Sequence, residues 1–124
     1  MDKKLMPQLG DALTHLGYGC MRFPKHEDGT MNMDEAIRLI KKGYELGINY
    51  IDTAPVYGIG HSETVLGQAL KSRRDRFILQ TKCSLNWRNE GGEFEYVRDG
   101  YTVNRDHRAA AIRKDVEGSL ERLC

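Results

Sequence analysis

The sequence is poor in the residues that mark secreted, fibrous or membrane proteins. It holds 3 cysteines, widely spaced and without a C-x-x-C pair, and 3 prolines in 124 residues. An odd and scattered set of cysteines excludes a disulfide framework and a cysteine-rich zinc site, and it predicts a reducing compartment, the cytoplasm. No apolar run reaches the ~18 residues of a membrane span, and residues 1–7 carry no secretory signal. We therefore expect no membrane partner.

An excess of either charge is also absent. The chain has 19 Lys and Arg against 18 Asp and Glu, a formal net charge of +1. A dedicated nucleic-acid binder shows a basic excess on one face, so the balance predicts no nucleic-acid partner. Hydrophobic residues make up 40% and aromatic residues 8%, which is typical of an ordinary globular domain. Length and composition together predict one domain, spanning residues 1–124.

Strand-like and helix-like segments alternate along the chain. The predicted strands are Leu13–Gly19, Ile48–Asp52 and Phe77–Lys82, and the predicted helices are Met33–Leu46, one from Ser62, and one from about Arg108. This order implies parallel strands joined by right-handed crossovers. The sequence therefore predicts an α/β fold.

The helices carry their own boundary and burial signals. Asn32 or Asp34 can cap the start of the first helix, Gly47 can end it in a left-handed conformation, and Ser62 is the expected N-cap of the second. Apolar stripes are expected to face the core. They comprise Val65, Leu66, Ala69 and Leu70 in the second helix, and Ala109, Ile112, Val116, Leu120 and Leu123 in the third.

The connection before the third helix is unusually long. Residues 86–106 are polar and contain glycine. Connections of this length are usually functional or disordered, and we expect one of the two here.

Reactive side chains are concentrated where the predicted strands end. Active sites of parallel α/β folds lie at the carboxyl ends of the strands, and residues 19–21, Asp52 and Lys82 occupy these ends. Tyr57 follows on the loop after Asp52. Taken singly, the Asp could cap a loop, the Lys could be solvated and the Tyr could be a packing residue.

Together these three residues form a coherent proton-donating unit. A phenol titrates near ~10, too high for an efficient acid at neutral pH. An ammonium about 4 Å away contributes roughly 4 kcal/mol at an effective dielectric of about 20, which corresponds to about 3 pKa units. The sequence thus predicts Asp52, Tyr57 and Lys82 as a catalytic group. Cys20 and Cys83, also beside strand ends, are expected to be buried, inert thiols.

Known nucleotide-binding motifs do not match. Gly17-Tyr18-Gly19 follows a strand and Gly58-Ile59-Gly60 precedes a helix, but Arg22 and Glu63 stand where the third glycine of a Rossmann fingerprint belongs. There is no Walker A motif and no cluster of metal ligands. A dinucleotide would therefore bind by another mode, and no metal is expected.

Residues 50–63 (YIDTAPVYGIGHSE), followed by Leu66-Gly67, resemble the signature of the aldo-keto reductase family. Residues 16–22, 78–82 and 115–123 resemble further segments of that family in the same order, so the resemblance extends from about Leu13 onward. The loop after Tyr57 is most similar to the bacterial and potassium-channel β-subunit branches. Residues 19–22 also resemble members that carry an iron–sulfur domain near the C-terminus.

The resemblance implies an NADPH-dependent oxidoreductase that reduces aldehydes and ketones to alcohols. It implies a (β/α)8 TIM barrel, of which residues 1–124 supply the N-terminal part, about three βα units, truncated before strand four. By position, Tyr57 is the general acid that protonates the carbonyl oxygen of a small-molecule substrate. Lys82 makes the phenol more acidic, and Asp52 pairs with Lys82 and lies near the nicotinamide ribose.

The remaining positions carried over by the resemblance are binding residues. Gly19, Cys20 and Met21 match the end of the first strand, which lies along the cofactor. Trp87 matches a substrate-pocket aromatic, although a partly exposed packing residue is the equal alternative.

One catalytic position of the family has no counterpart. It is a histidine at the end of strand four, and none of the chain's histidines matches it, namely His15, His26, His61 and His107. We therefore expect the isolated 124-residue chain to be inactive. An open barrel edge leaves self-association as a further expectation. The alternative function is a non-catalytic binding or regulatory module, or a degenerate fragment of the same fold.

Overall fold

A computed structural model describes residues 1–7, 11–87 and 91–123. The described elements run in this order: β1 (Lys3–Met6), β2 (Asp11–Thr14), β3 (Tyr18–Gly19), α1 (Met33–Glu45), β4 (Tyr50–Asp52), α2 (His61–Leu70), β5 (Ile78–Gln80), β6 (Leu85–Asn86), β7 (Glu93–Arg98), β8 (Tyr101–Arg105) and α3 (Ala109–Leu123). A short 3₁₀ turn, Arg74–Arg76, precedes β5.

A parallel sheet with the order β3-β4-β5 forms the centre of the fold. Tyr18 pairs with Ile51 and Gly19 with Asp52, while Asp52 in turn pairs with Gln80. Helix α1 connects β3 to β4 and helix α2 connects β4 to β5, so each crossover places a helix against the sheet. The predicted α/β alternation is confirmed, and the register brings the carboxyl ends of all three strands together.

The first predicted strand is in fact divided between two sheets. Leu13 and Thr14 belong to β2, which pairs antiparallel with β1, and Tyr18–Gly19 alone joins the parallel sheet. The chain bends between them and passes close to Tyr50, since a Cβ at Gly17 would lie 2.9 Å from that ring. Alternation of apolar and polar residues is the same in both strands, so the pattern did not mark the break.

The predicted ends of α1 are confirmed, but the predicted start of α2 is wrong. The Asn32 side chain accepts a hydrogen bond from the Glu35 N–H at 3.0 Å, and Gly47 has a φ of +89° beyond the last turn. Helix α2 instead follows Gly60, whose φ is +85°, and Ser62 lies inside the first turn. Ser62 does not cap α2 because its hydroxyl bonds to groups outside the helix.

The long stretch before α3 is neither a plain loop nor wholly irregular. Strands β7 and β8 form a hairpin that turns at Asp99 and Gly100, both with positive φ, as a two-residue hairpin turn requires. Strand β6 pairs with the other edge of β8. The described part is therefore ordered rather than disordered, a functional role for this stretch stays a prediction, and residues 88–90 lie outside the described residues. The sequence did not predict β7 and β8 because polar residues occur on both faces of these strands.

The core lies between the parallel sheet and its helices. Val65, Leu66 and Leu70 of α2 are buried and Ala69 partly so, which confirms the predicted stripe. The other buried members of this cluster are Cys20, Phe23, Ala36, Ile40, Ile51, Phe77 and Leu123. None of the described helices combines the length and apolar character needed to cross a bilayer.

The predicted apolar stripe of α3 is wrong in part. Leu123 is buried, but Val116 and Leu120 are 45% and 54% exposed. The helix buries Asp115, Gly118 and Ser119 instead. Its last turn approaches α2 so closely that a Cβ at Gly67 would lie 2.2 Å from the Arg122 carbonyl oxygen. Close backbone contact, rather than the largest side chains, therefore decides which face of α3 is covered.

Candidate active site

Asp52 and Lys82 meet at the carboxyl end of the parallel sheet. Asp52 is the last residue of β4, and Lys82 follows β5 by two residues. The Lys82 Nζ donates hydrogen bonds to Asp52 Oδ1 at 2.8 Å and Oδ2 at 3.0 Å. It also donates to the Thr53 carbonyl oxygen at 2.8 Å. Three acceptors thus hold the ammonium in one place.

The loop after β4 brings Tyr57 over this ion pair. The Lys82 Nζ lies 4.9 Å from the centre of the Tyr57 ring. Gly58, Ile59 and Gly60 all have positive φ, at 59°, 51° and 85°. This run turns the chain sharply back into α2, and the Gly60 N–H donates to the Pro55 carbonyl at 2.7 Å. The three predicted catalytic residues are therefore brought together by the structure.

The electrostatics keep Lys82 charged. Partial burial lowers the pKa of the Lys82 ammonium, but hydrogen bonding to Asp52 and Tyr57, and then their negative charges, outweigh burial and raise that pKa above its ordinary value. The carboxylate and the ammonium are 34% and 43% exposed, so a ligand can reach both. The ion pair therefore presents a charged ammonium to the Tyr57 ring.

A cavity of about 280 Å³ adjoins these residues. Its lining includes Tyr57, Lys82, Cys83 and Arg105. Arg105 forms an ion pair with Glu95 on the neighbouring strand β7. Sequence reasoning missed Arg105, because only the pairing of the β7–β8 hairpin brings this strand end to the cavity, and no local signal marks it.

Exposed and buried positions alternate from Gly19 to Met21, at the end of β3. Gly19 has open space within 4 Å of where a Cβ would be, and Met21 is 51% exposed. Cys20 is fully buried, and its N–H donates to the Asp52 carbonyl at 2.9 Å. The open space at Gly19 thus lies beside the partly exposed Asp52 carboxylate, its partner in the strand register.

The two described cysteines differ in environment. Burial, followed by the nearby charge of Asp52, raises the pKa of the Cys20 thiol to about 12, so Cys20 is the inert thiol that was expected. Cys83 is exposed, and the expectation of its burial was wrong. The chain leaves the sheet after Gln80, and Cys83 lines the cavity and is exposed to solvent.

Trp87 packs between the hairpin and the helices. Its ring lies 3.1 Å from where a Cβ at Gly60 would be, and the Arg122 guanidinium carbon lies 5.4 Å from the ring centre. It shares an apolar cluster with Val103 and Tyr57. The structure thus shows a packing contact, and a role in substrate binding stays a prediction.

Other candidate ligands stay apart. His61 is the exposed first residue of α2, and His107 is exposed before α3. Within residues 1–7, 11–87 and 91–123, no three His, Cys, Asp or Glu side chains are grouped so that they could hold a metal ion.

Comparison with known proteins identifies relatives over almost the whole chain. The sequence model of the Aldo/keto reductase family matches residues 15–124. The NADH-specific methylglyoxal reductase of Escherichia coli (strain K12) is 37% identical over 97 residues, which are 77% of this chain and 29% of that protein.

Solved structures show the same similarity. The holo form of aldo-keto reductase AKR11C1 from Bacillus halodurans is 35% identical with a TM-score of 0.74, over 99% of this chain and 36% of that one. An aldo-keto reductase from Klebsiella pneumoniae in complex with NADPH is 27% identical with a TM-score of 0.67, over 99% and 36%. This chain spans about a third of the length of these proteins.

Proposed function

The chain belongs to the Aldo/keto reductase family, and from that membership we propose that its protein is an oxidoreductase that reduces aldehydes and ketones to alcohols with NADPH. The observation that carries the proposal is the position of Lys82 Nζ, 2.8 Å from Asp52 and 4.9 Å from the Tyr57 ring centre. This arrangement supplies a proton donor and a cation at the mouth of a cavity, which carbonyl reduction requires.

We further propose that residues 1–124 are the N-terminal part of a single (β/α)8 domain. The parallel order β3-β4-β5 with α1 and α2 as crossovers supports this assignment. Each solved relative is a chain about three times as long that superimposes on this one over a third of its length. Strands β3, β4 and β5 would then be the first three strands of the barrel.

The proposed chemistry divides the roles among the chain's own residues. When bound, the nicotinamide supplies a hydride to the carbonyl carbon. Tyr57 donates its phenolic proton to the carbonyl oxygen, and Lys82 stabilises the phenolate that is left. Asp52 holds the ammonium in position and keeps it charged. The substrate carbonyl would enter the cavity of about 280 Å³ that Tyr57 and Lys82 line, and Trp87 would pack at its border.

The cofactor would lie along the ends of β3 and β4. Gly19 and Met21 offer the exposed surface and Asp52 an acceptor for ribose hydroxyls, with Cys20 buried beneath them. The Klebsiella relative bound to NADPH supports NADPH as the cofactor. The Escherichia coli relative is NADH-specific by name, so an assay has to compare both cofactors. Two free cysteines among the described residues support a cytoplasmic location.

The test is the oxidation of NADPH and NADH by the complete protein in which these residues occur, with methylglyoxal and aromatic aldehydes as substrates. We expect activity with NADPH, and a loss of about 10²–10⁴-fold in kcat for Tyr57→Phe, because the ring keeps its packing but loses its proton. Tyr96→Phe is the matched control, since that ring belongs to the same cluster but lies under the Arg98 guanidinium, whereas Tyr57 lies under the Lys82 ammonium. Absence of activity with every cofactor and carbonyl would overturn the proposal in favour of a binding module.

A polypeptide of residues 1–124 alone is proposed to be inactive and to self-associate. Within the described chain, β5 has a strand neighbour on one side only, namely β4. Unpaired strand edges favour pairing with another chain. Turnover of NADPH by this polypeptide, lost in Tyr57→Phe, would overturn the first statement, and a monomer in sedimentation equilibrium would overturn the second.

A further inference from the structure

Ser62 and Glu63 are polar yet fully buried, and both lie in the first turn of α2. Burying such groups is costly unless hydrogen bonds satisfy them. Their side chains reach out of the helix and contact the residues that follow β3, β4 and β5. We refer to this adjacent pair as the Ser62–Glu63 clamp.

The serine holds the ends of two strands. The Ser62 Oγ donates to the Cys20 carbonyl oxygen at 2.9 Å. Because a hydroxyl carries a single proton, the 2.8 Å bond between Ser62 Oγ and Thr53 Oγ1 must be donated by Thr53. The Thr53 carbonyl is in turn an acceptor for Lys82 Nζ. Ser62 therefore fixes the residue next to Asp52 and one of the three acceptors of the ammonium.

The glutamate holds the third strand end. Glu63 Oε1 accepts from Thr81 Oγ1 at 2.6 Å, and Glu63 Oε2 accepts from Arg122 Nε at 2.7 Å. Thr81 immediately precedes Lys82 along the chain. Both carboxylate oxygens are thus engaged, one by the backbone segment that carries Lys82 and one by α3.

We infer that Ser62 and Glu63 are positioning residues that set the distance between Asp52, Lys82 and Tyr57, an inference that rests on the proposed function for its catalytic consequence. A lysine side chain is long and flexible, so its position depends on where residues 81–82 and 52–53 are held. A misplacement of about 1 Å at a reacting group can cost 10²-fold in rate. The clamp joins both segments to the first turn of α2, which is also the turn into which the Tyr57 loop leads.

The test uses Thr81→Val and Thr81→Ser in the complete protein in which these residues occur. Valine keeps the shape of threonine but removes the donor to Glu63, whereas serine keeps the hydroxyl. The readout is the Lys82 pKa, measured by NMR after ¹³C-dimethylation of lysines and assigned with Lys82→Arg. We expect Thr81→Val to lower the Lys82 pKa toward that of a free lysine, because the ammonium moves away from Asp52, and Thr81→Ser to keep the wild-type value.

If the bond between Thr81 and Glu63 only stabilised the fold, its removal would leave the Lys82 pKa unchanged. Unchanged Lys82 titration in a folded Thr81→Val chain, judged by circular dichroism, would overturn the inference. If Thr81→Val does not fold, Thr81→Ala is judged by the same criterion, because alanine also lacks the hydroxyl that donates to Glu63. Thr64→Ala is the matched control, because the Thr64 hydroxyl donates to the Gly60 carbonyl within its own helix turn.

The catalytic consequence is measured separately in the complete protein. Thr81→Val is expected to lower kcat about tenfold or more with KM within about twofold, and Thr81→Ser to restore kcat. A wild-type protein without activity would refute the proposed function, while the Lys82 titration would still decide whether the clamp positions the ion pair.

Discussion

The Lys82 ammonium faces the ring of Tyr57 at 4.9 Å from its centre. A cation at this distance from an aromatic face is attracted by the ring and, more strongly, by any negative charge that develops on the phenolic oxygen. The same ammonium is held by both carboxylate oxygens of Asp52. The geometry thus places the Tyr57 ring, on the loop after β4, beside a positive charge held near the end of β5.

Substitutions at Lys82 should distinguish the effect of its positive charge from that of its side-chain volume. We expect Lys82→Met to lower kcat of the complete protein by about 10²-fold or more, because the phenolate formed on proton transfer loses its cationic neighbour. Lys82→Arg keeps a positive charge with a different geometry, so its kcat should lie between those of the wild-type protein and Lys82→Met. Initial rates of NADPH oxidation measure both variants. A Lys82→Met enzyme within twofold of wild type would contradict this role.

Alkylation should distinguish the two described cysteines. The pKa of the Cys20 thiol, raised to about 12 by burial and by Asp52, leaves about 10⁻⁴ of it as thiolate at pH 8. Iodoacetamide at pH 8 should therefore modify the exposed Cys83 and spare Cys20 in the native chain. Peptide mass spectrometry reads the result, and Cys83→Ser should remove the modified peptide. The prediction fails if Cys20 reacts as fast in the native chain as in guanidinium.

Gly67 should tolerate no side chain. A Cβ there would lie 2.2 Å from the Arg122 carbonyl oxygen, so α2 and α3 would have to separate. We expect Gly67→Ala to lower the free energy of unfolding by about 1–3 kcal/mol, measured by urea denaturation. Gly43→Ala is the control, since it lies in α1 and the nearest atoms to its Cβ would belong to the side chains of Tyr18, at 3.0 Å, and Ile48, at 3.9 Å. Equal stability of the two variants would argue against close α2–α3 packing.

Asp106 should stabilise the start of α3 in a pH-dependent way. Hydrogen bonds from the Arg108 side chain and N–H lower the pKa of this carboxyl from 3.8 to about 2. A lowered pKa stabilises the fold above about pH 4, and this contribution is lost as the pH falls through about 2. Asp106→Asn should therefore have a lower urea midpoint at pH 7 and a midpoint that converges on wild type near pH 2. A difference independent of pH would contradict the assignment.

Much of the fold could be predicted because it depends on local periodicity. The helix Met33–Glu45, its Asn32 cap and the strands around Asp52 and Gln80 follow from side-chain spacing and turn residues. The proximity of Asp52 and Lys82 was predictable for a related reason. Strand ends in a parallel sheet share one edge, so Asp52 and Lys82 had to be neighbours once the alternation of strands and helices was recognised.

Other features required the packing of distant segments. Val116 and Leu120 continue the helical apolar spacing of α3 but are exposed, because the contact between Gly67 and Arg122 selects another face. The hairpin residues around Tyr101 were not recognised as strand because neither face is uniformly apolar. Arg105 reaches the cavity only through that hairpin.

The sequence by itself determined the α/β alternation, the family signature and the three residues Asp52, Tyr57 and Lys82. The tertiary structure alone decided that Ser62 and Glu63 are not surface residues at a helix start but buried groups that bind three strand ends. The apolar periodicity of a helix or strand depends on residues at most three or four positions apart, so it can be recognised in the sequence itself. The partners of the Ser62 hydroxyl and the Glu63 carboxylate lie 9 to 59 residues away along the chain, so only the assembled fold can reveal them.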